Sequence, residues 1–205
     1  MKQKHKARRQ PRRPDAAPRP VTPELQVEPL RRLNRALRVL STTSQILIRA
    51  TQESDLLQEI CRIAVEVGDY RLAWVGYAEQ DDNKTVRPVA QAGFEDGYLE
   101  TLRITWADAE RGRGPTGTAI RTGKPSIARD MRTEPRFAPW RAEATRHGYA
   151  SSIALPLIAN SRTFGTLNIY ATEPDAFDTE EVKLLTELAN DLAYGITALR
   201  THAAR

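Results

Sequence analysis

A chain of 205 residues with 40% hydrophobic residues can bury one core, and its one cysteine, Cys61, excludes an internal disulfide and any multi-cysteine metal site. No apolar run approaches the ~18 residues a membrane helix needs, and the opening MKQKHKARRQ develops no apolar stretch of the kind a secretory signal carries, so the expectation is a cytoplasmic protein. The net charge of +5 is local: residues 1–20 hold eight Lys/Arg against one Asp, which leaves 23 basic and 25 acidic residues elsewhere.

Residues 1–27 combine that basic charge with prolines at 11, 14, 18, 20 and 23. Such a segment buries too little apolar surface to offset the entropy of ordering it, so a disordered tail is expected. Counterion release would let it hold nucleic acid or anionic lipid. It lacks the aromatics that stack on bases, so a solvated leader or a linker is the better account of it. A folded unit is expected over residues 28–202.

From Pro29 onward Leu30, Leu33, Leu37, Leu40 and Leu47 recur at heptad spacing, with Ser44 in the vacant position, which predicts one long helix. A second helix is expected from an N-cap at Ser54 or Asp55, through Leu56, Leu57, Ile60, Ile63, Ala64 and Val67, to Gly68. The β-rich runs 70–78 and 85–93 predict a hairpin turning at 79–84. A short helix over 95–102, a strand over 102–106, a glycine-rich loop over 112–117 and a brief helix ending at Gly123 follow. Next come a strand over 125–130 and a helix over 137–148. Strands 151–159 and 163–172 form the last hairpin, turning at Asn160–Ser161. The final helix opens at Asp178 or Thr179 with Glu180 and Glu181 in its first turn, where the helix dipole favours them. It carries Leu185, Leu188, Leu192, Ile196 and Leu199. Helices bracketing about six hairpin-linked strands make the class α+β rather than alternating βαβ.

Three motifs then stand out in order: Leu155–Pro156–Leu157 on one strand, Gly165–Thr166–Leu167 on the next, and Phe177 just before the last helix. With GRGPTGTAIRTGKPSIARD at 112–130, their order and spacing resemble a GAF domain over roughly residues 35–200. The stretch DMRTEPRFAPWRAEATRHGYASSIALPL is similar to GAF domains of bacterial histidine kinases and diguanylate cyclases. The resemblance implies a six-stranded antiparallel sheet with the terminal helices on one face. Short helices and loops would cover a ligand pocket on the other face. It also gives the two heptad helices a purpose, as a parallel homodimer interface through Leu30, Leu33, Leu37, Leu40, Leu188, Leu192 and Leu199. Packing against the sheet is the competing use of those leucines.

Sharper chemical readings fare less well. Gly112–Arg113–Gly114–Pro115–Thr116–Gly117 matches GxGxxG, but ADAER rather than an apolar strand precedes it, and Pro115 removes an N–H a phosphate would need. Turn and cap is the better account, with Arg111 and Arg113 leaving a weaker case for an anion at the helix start. His5, His147 and His202 form no i, i+4 pair, so no metal site is expected. His202 lacks the downstream ATP-binding domain a histidine kinase needs. No Ser/His/Asp or paired-carboxylate constellation is evident. One GAF branch reduces free methionine sulfoxide with pocket cysteines, and others attach bilins to them; the absence of cysteine from residues 62–205 argues against both. Cyclic-nucleotide-binding members carry an Asn-Lys, Phe and Asp-Glu pattern. Here Phe177, Glu180 and Glu181 are present, but Asn168 lies earlier and Tyr170 and Ala171 stand in the Asn-Lys place.

The resemblance therefore implies a sensory or regulatory module without catalytic residues, with a ligand of unknown identity and no cofactor that can be named. Its output would be a signalling domain or a protein acting in trans, and nucleic acid or an acidic partner would engage only the tail. The expected pocket residues are Trp74, Trp106, Thr118, Asp130, Trp140, Tyr149, Asn168 and Tyr170. Strand alternation puts Thr166, Asn168 and Tyr170 on the pocket face and Leu167 and Ile169 on the other.

Overall fold

The computed structural model describes residues 24–205, with side chains from residue 27. The basic tail expected at 1–27 lies largely outside the described residues. Helix α1 (Glu24–Arg49) already begins inside it, so the boundary expected at 27/28 falls within a helix. Pro29 sits in its second turn, where the missing N–H costs one helical hydrogen bond.

After α1 come α2 (Glu53–Glu66), β1 (Leu72–Ala78), β2 (Val86–Gly93), α3 (Tyr98–Leu102), α4 (Pro115–Thr122), β3 (Ser126–Ala128), α5 (Arg141–Arg146), β4 (Ser151–Ala159), β5 (Arg162–Ala171) and α6 (Thr179–Ala203). The sheet is antiparallel, in the order β2-β1-β5-β4-β3. It has five strands rather than the six expected. The segment predicted as a strand over 102–106 contributes one bridge, Thr85 to Thr105, beside β2. Hydrogen bonds from Val86 N–H to the Ile104 carbonyl and from Trp106 N–H to the Lys84 carbonyl bracket the bridge, and Arg103 enters the segment in a left-handed conformation (φ 42°) that ends the pairing there. Pro156 falls on β4 beyond the end of β3, where the strand has no neighbour on that side and its missing N–H costs no ladder bond.

Two smaller expectations also shift. Helix α2 starts at Glu53 after an extended Gln52, and Ser54 bonds Asp55 instead of capping the helix. The helix expected over 137–148 splits into a 3-10 turn, Pro135–Trp140, and α5, because Pro139 interrupts the α-helical hydrogen bonding. Asp178 does cap α6, accepting the Glu181 N–H at 2.9 Å.

The period-2 alternation of the strands feeds two cores. Ala73, Val75, Ile153, Leu155, Leu157, Leu167 and Ile169 face α1, α2 and α6. Leu72, Trp74, Val86 and Tyr170 face the short helices and loops of residues 98–149. Helices α1 and α6 run parallel: Arg35, about three turns into α1, meets Glu181 in the first turn of α6, and Leu47 lies against Gly195 a further three to four turns on.

The leucine stripes divide between core and surface. Leu188 and Leu192 are fully buried within the single chain, so these two positions of the expected dimer interface serve the protomer's own core. Leu33, Leu40 and Leu199 are half-buried on the shoulders of their helices. Leu30 and Leu37 are 57% and 44% exposed, and Ile48 and Tyr194 extend this apolar face at 87% and 78%. Ala36, Val39 and Thr43, outside the leucine heptad, turn inward instead.

No helix among the described residues is long and apolar enough to cross a membrane.

Candidate functional site

On the loop side of the sheet, α4, the 135–140 turn and strands β4 and β5 enclose a cavity. Its polar lining is Thr116, Ser152, Asn168 and Tyr170; its apolar walls include Leu102, Ile104, Phe137 and Trp140. The free volume is about 10 Å³, room for about one water, so the site is closed.

Asn168 anchors the polar end. It is 1% exposed, and every polar atom of its amide is used. Its Oδ1 accepts from the Thr116 hydroxyl at 2.9 Å, while Nδ2 donates to the Thr166 hydroxyl at 3.0 Å and to the Trp74 carbonyl at 3.3 Å. One strand residue thus ties α4 to β1 and β5. Alternation on β5 delivers Thr166, Asn168 and Tyr170 to this face and Leu167 and Ile169 to the helix side, as the pattern predicts.

Beside Asn168 stands an aromatic cluster. Tyr98 and Tyr149 approach edge-on at 4.9 Å, and Tyr149 and Tyr170 at 5.0 Å. Burial pushes the Tyr170 hydroxyl up to about 12, with Tyr98 and Trp74 pulling it down. The Trp74 indole N–H and the Tyr98 hydroxyl are buried without a hydrogen-bond partner of good geometry. Groups left in this state cost about 1–3 kcal/mol each, and both sit next to Tyr170 behind the cavity.

The expected pocket residues separate accordingly. Trp140, Asn168 and Tyr170 line the cavity, and Trp74 and Tyr149 belong to the aromatic cluster behind it. Three lie elsewhere. The Trp106 indole N–H donates to the Glu79 carbonyl at 2.8 Å and its ring carries the Lys84 ammonium, on the outer rim. Thr118 points away and returns its hydroxyl to the Arg113 carbonyl. Thr116 takes the inward place because two helical residues differ by about 200° in direction. Asp130 binds Arg132 and the backbone of its own turn.

Sequence reasoning missed Thr116, Ser152, Phe137 and Tyr98. The aromatic residues inside otherwise polar short segments were the available signal for Phe137 and Tyr98. The glycine-rich loop acts as turn and packing surface. A Cβ on Gly117 would stand 2.2 Å from the Gly112 carbonyl oxygen, and one on Gly114 would strike the Trp140 ring.

The residues weighed for a cyclic nucleotide are used on the other face of the sheet. Phe177 packs on Tyr70 in the helix-side core, Glu181 is bound by Arg35, and Glu180 pairs with Lys183 at the surface. Cys61 is buried beside α6 and the sheet, and burial pushes its thiol up to about 12, an unreactive state. His147 hydrogen-bonds the Glu143 and Asp96 carbonyls. Among the described residues no group of three or more His, Cys, Asp or Glu side chains converges.

Comparison with known proteins places this architecture. No curated protein matches the chain. Among solved structures, the GAF domain of a phosphoenolpyruvate-protein phosphotransferase from Coxiella burnetii superimposes with a TM-score of 0.69 at 21% identity, covering 85% of this chain and 99% of that one. The free methionine-R-sulfoxide reductase from Neisseria meningitidis, in complex with its substrate, gives 0.67 at 20% identity over 82% and 91%. A domain of a two-component sensor histidine kinase protein from Sinorhizobium meliloti gives 0.60 at 17% identity over 76% and 98%. At these identities the likeness is one of fold. The family model for the GAF domain matches residues 50–197, and the chain belongs to the GAF domain family.

Proposed function

We propose that this chain is a cytoplasmic bacterial sensory module that binds a small molecule in the loop-side cavity and reports its occupancy through α1 and α6 in a parallel homodimer. The observation that carries this reading is a continuous physical connection between the two faces. Tyr170 lines the cavity, and its carbonyl accepts the Arg71 N–H at 2.9 Å. The neighbouring Tyr70 donates its hydroxyl to Glu181, which holds Arg35 of α1. A second route runs through Ser152 in the cavity wall and Ser151, whose hydroxyl donates to the Glu173 carbonyl; the Glu173 carboxylate binds Arg35. Movement at the cavity is thereby delivered to the point where α1 rests on α6.

The dimer reading rests on the apolar face of Leu30, Leu37, Ile48 and Tyr194 and on the charges flanking it. Arg31, Arg38 and Arg49 are exposed along α1, and Glu187 and Asp191 along α6. In a parallel pairing the basic edge of one protomer meets the acidic edge of the other. A ligand then acts by population shift, through its different affinities for two helix arrangements. The output would be a separate domain or protein. A reductase reading has the Neisseria meningitidis structure as a fold relative. It would need reactive thiols, however, and Cys61 is buried.

Native mass spectrometry of freshly purified protein tests this reading. A dimer carrying a small mass that leaves on denaturation supports it. A monomer at micromolar concentration without added mass contradicts it.

A further inference from the structure

One large side chain forms much of the cavity's outer wall. Trp140 is 4% exposed, and its indole N–H donates to the Leu102 carbonyl at 2.6 Å. Phe137 packs edge-on against the ring at 5.5 Å. The opposite wall is bare backbone: a Cβ on Gly114 would stand 2.5 Å from Cζ3 and 2.9 Å from Cη2 of the indole. The glycine therefore makes room for a flat ring. With only about 10 Å³ left free, nothing larger than a water fits beside it.

The lining also constrains charge. No charged side chain lines the cavity; Thr116, Ser152, Asn168 and Tyr170 are its polar groups. An ionised ligand buried here would lose its hydration with no counter-charge, a loss of several kcal/mol or more. A neutral one would meet hydroxyls, an amide and a carbonyl acceptor. The segment that follows Trp140 is fastened independently of its ring. Arg141 donates to the Met131 and Glu134 carbonyls at 3.4 and 3.0 Å, and His147 bonds the Asp96 carbonyl at 3.2 Å. None of those anchors uses the Trp140 side chain.

We propose that Trp140 is the resident occupant of the binding site. The ligand is an uncharged, planar aromatic heterocycle of about indole size bearing a ring N–H. It displaces the Trp140 ring, lies on the Gly114 backbone, and takes over the hydrogen bond to the Leu102 carbonyl. This inference rests on the reading of the cavity as the ligand site.

The test uses the full chain labelled with 5-fluorotryptophan, whose three tryptophans give three ¹⁹F signals, with Trp140 assigned through Trp140→Phe. Indole is titrated in, and then indene, which has the same shape without the N–H. The expected result is movement of the Trp140 signal to a solvent-exposed shift with indole. Indene should need about tenfold more, the equivalent of one hydrogen bond. Trp140→Ala, freed of the internal competitor, should bind indole at least about tenfold more tightly than the wild type. A stationary Trp140 signal, or equal responses to indole and indene, overturns the proposal. Should Trp140→Ala fail to fold, the wild-type titration decides alone. Hydrogen exchange in α1 and α6 is read on the same samples. Displacement of Trp140 with unchanged helices keeps the site and overturns the relay. No displacement overturns the site proposal, and the native mass measurement judges the sensory reading separately.

Discussion

Arg35 and Glu181 form a buried ion pair, 2.6 Å from Nε to Oε1, that joins α1 to α6 across 146 residues of sequence. Arg35 also reaches the Glu173 carboxylate and the Ala176 carbonyl, and its guanidinium lies 4.5 Å over the Tyr70 ring. Burial pulls the Arg35 pKa down, but Glu181, Tyr70 and Glu173 outweigh it and hold the guanidinium charged. Burial likewise pushes the Glu181 carboxyl up, against the pull of Arg35 and Tyr70. The pair is thus built at a desolvation cost and held by surrounding hydrogen bonds, the arrangement expected of a specific clasp rather than of a plain stabiliser.

Removing one partner should therefore cost far more than removing both. Arg35→Met leaves the Glu181 carboxylate buried and uncompensated, a loss of about 3–5 kcal/mol by chemical denaturation. The double variant Arg35→Met/Glu181→Leu should recover most of it. Equal losses from the single and double variants would mean that the pair contributes little beyond packing.

The exposed leucines predict a different outcome. Leu30→Asp/Leu37→Asp alters side chains on the free face of α1, so the melting temperature at low concentration should barely change. Light scattering at micromolar concentration should shift from dimer to monomer. Persistence of the dimer would move the interface elsewhere.

Asn168 predicts the energetics of the cavity. Asn168→Leu keeps the volume but leaves the Thr116 and Thr166 hydroxyls without their amide partner, and should destabilise by about 1–3 kcal/mol. A neutral effect in denaturant would show that water replaces the amide without loss.

The pH dependence is carried in part by Glu53, at the start of α2. Hydrogen bonds from Arg200 and Tyr77 hold its carboxyl below the ordinary 4.5, against burial. A carboxyl whose pKa is lowered by folding stabilises the fold above its ordinary value. That stability is lost as pH falls below 4.5 and through the folded pKa. Glu53→Gln should cost about 0.5–1 kcal/mol at pH 7, as a partly exposed ion pair does, and nothing at pH values where Glu53 is protonated. A difference that does not shrink with acid would refute the assignment. Glu181, whose carboxyl is raised, pulls the other way, so the comparison must be made between the variant and wild type at each pH.

Much of the fold was legible because its signals are local. The period-2 strands placed Asn168 and Tyr170 on the cavity face, and Asp178 followed by Glu180 and Glu181 marked the start of α6. Heptad spacing located α1 and α6 but could not say which leucines turn inward. Leu188 and Leu192 went to the core because α6 lies on the sheet, whereas α1 turns Ala36, Val39 and Thr43 inward and leaves Leu30 and Leu37 outside. The cavity depends on long-range approach, which no local pattern reports. Thr116 meets Asn168 across 52 residues, and Trp140 meets the Leu102 carbonyl across 38. The single bridge at Thr105 reads as a strand by composition and is stopped by the backbone turn at Arg103.

The central claim is that the state of the loop-side cavity is felt at α1 and α6. Gly114→Ala tests it without any ligand, because the added methyl would stand 2.5 Å from the Trp140 ring and must drive it outward, at about 1–3 kcal/mol of overpacking. Hydrogen–deuterium exchange of the full chain, variant against wild type, is the measurement. Faster exchange is expected over residues 135–148 together with altered protection in the first halves of α1 and α6. Altered exchange confined to 94–102 and 135–148, with both long helices unchanged, would contradict it.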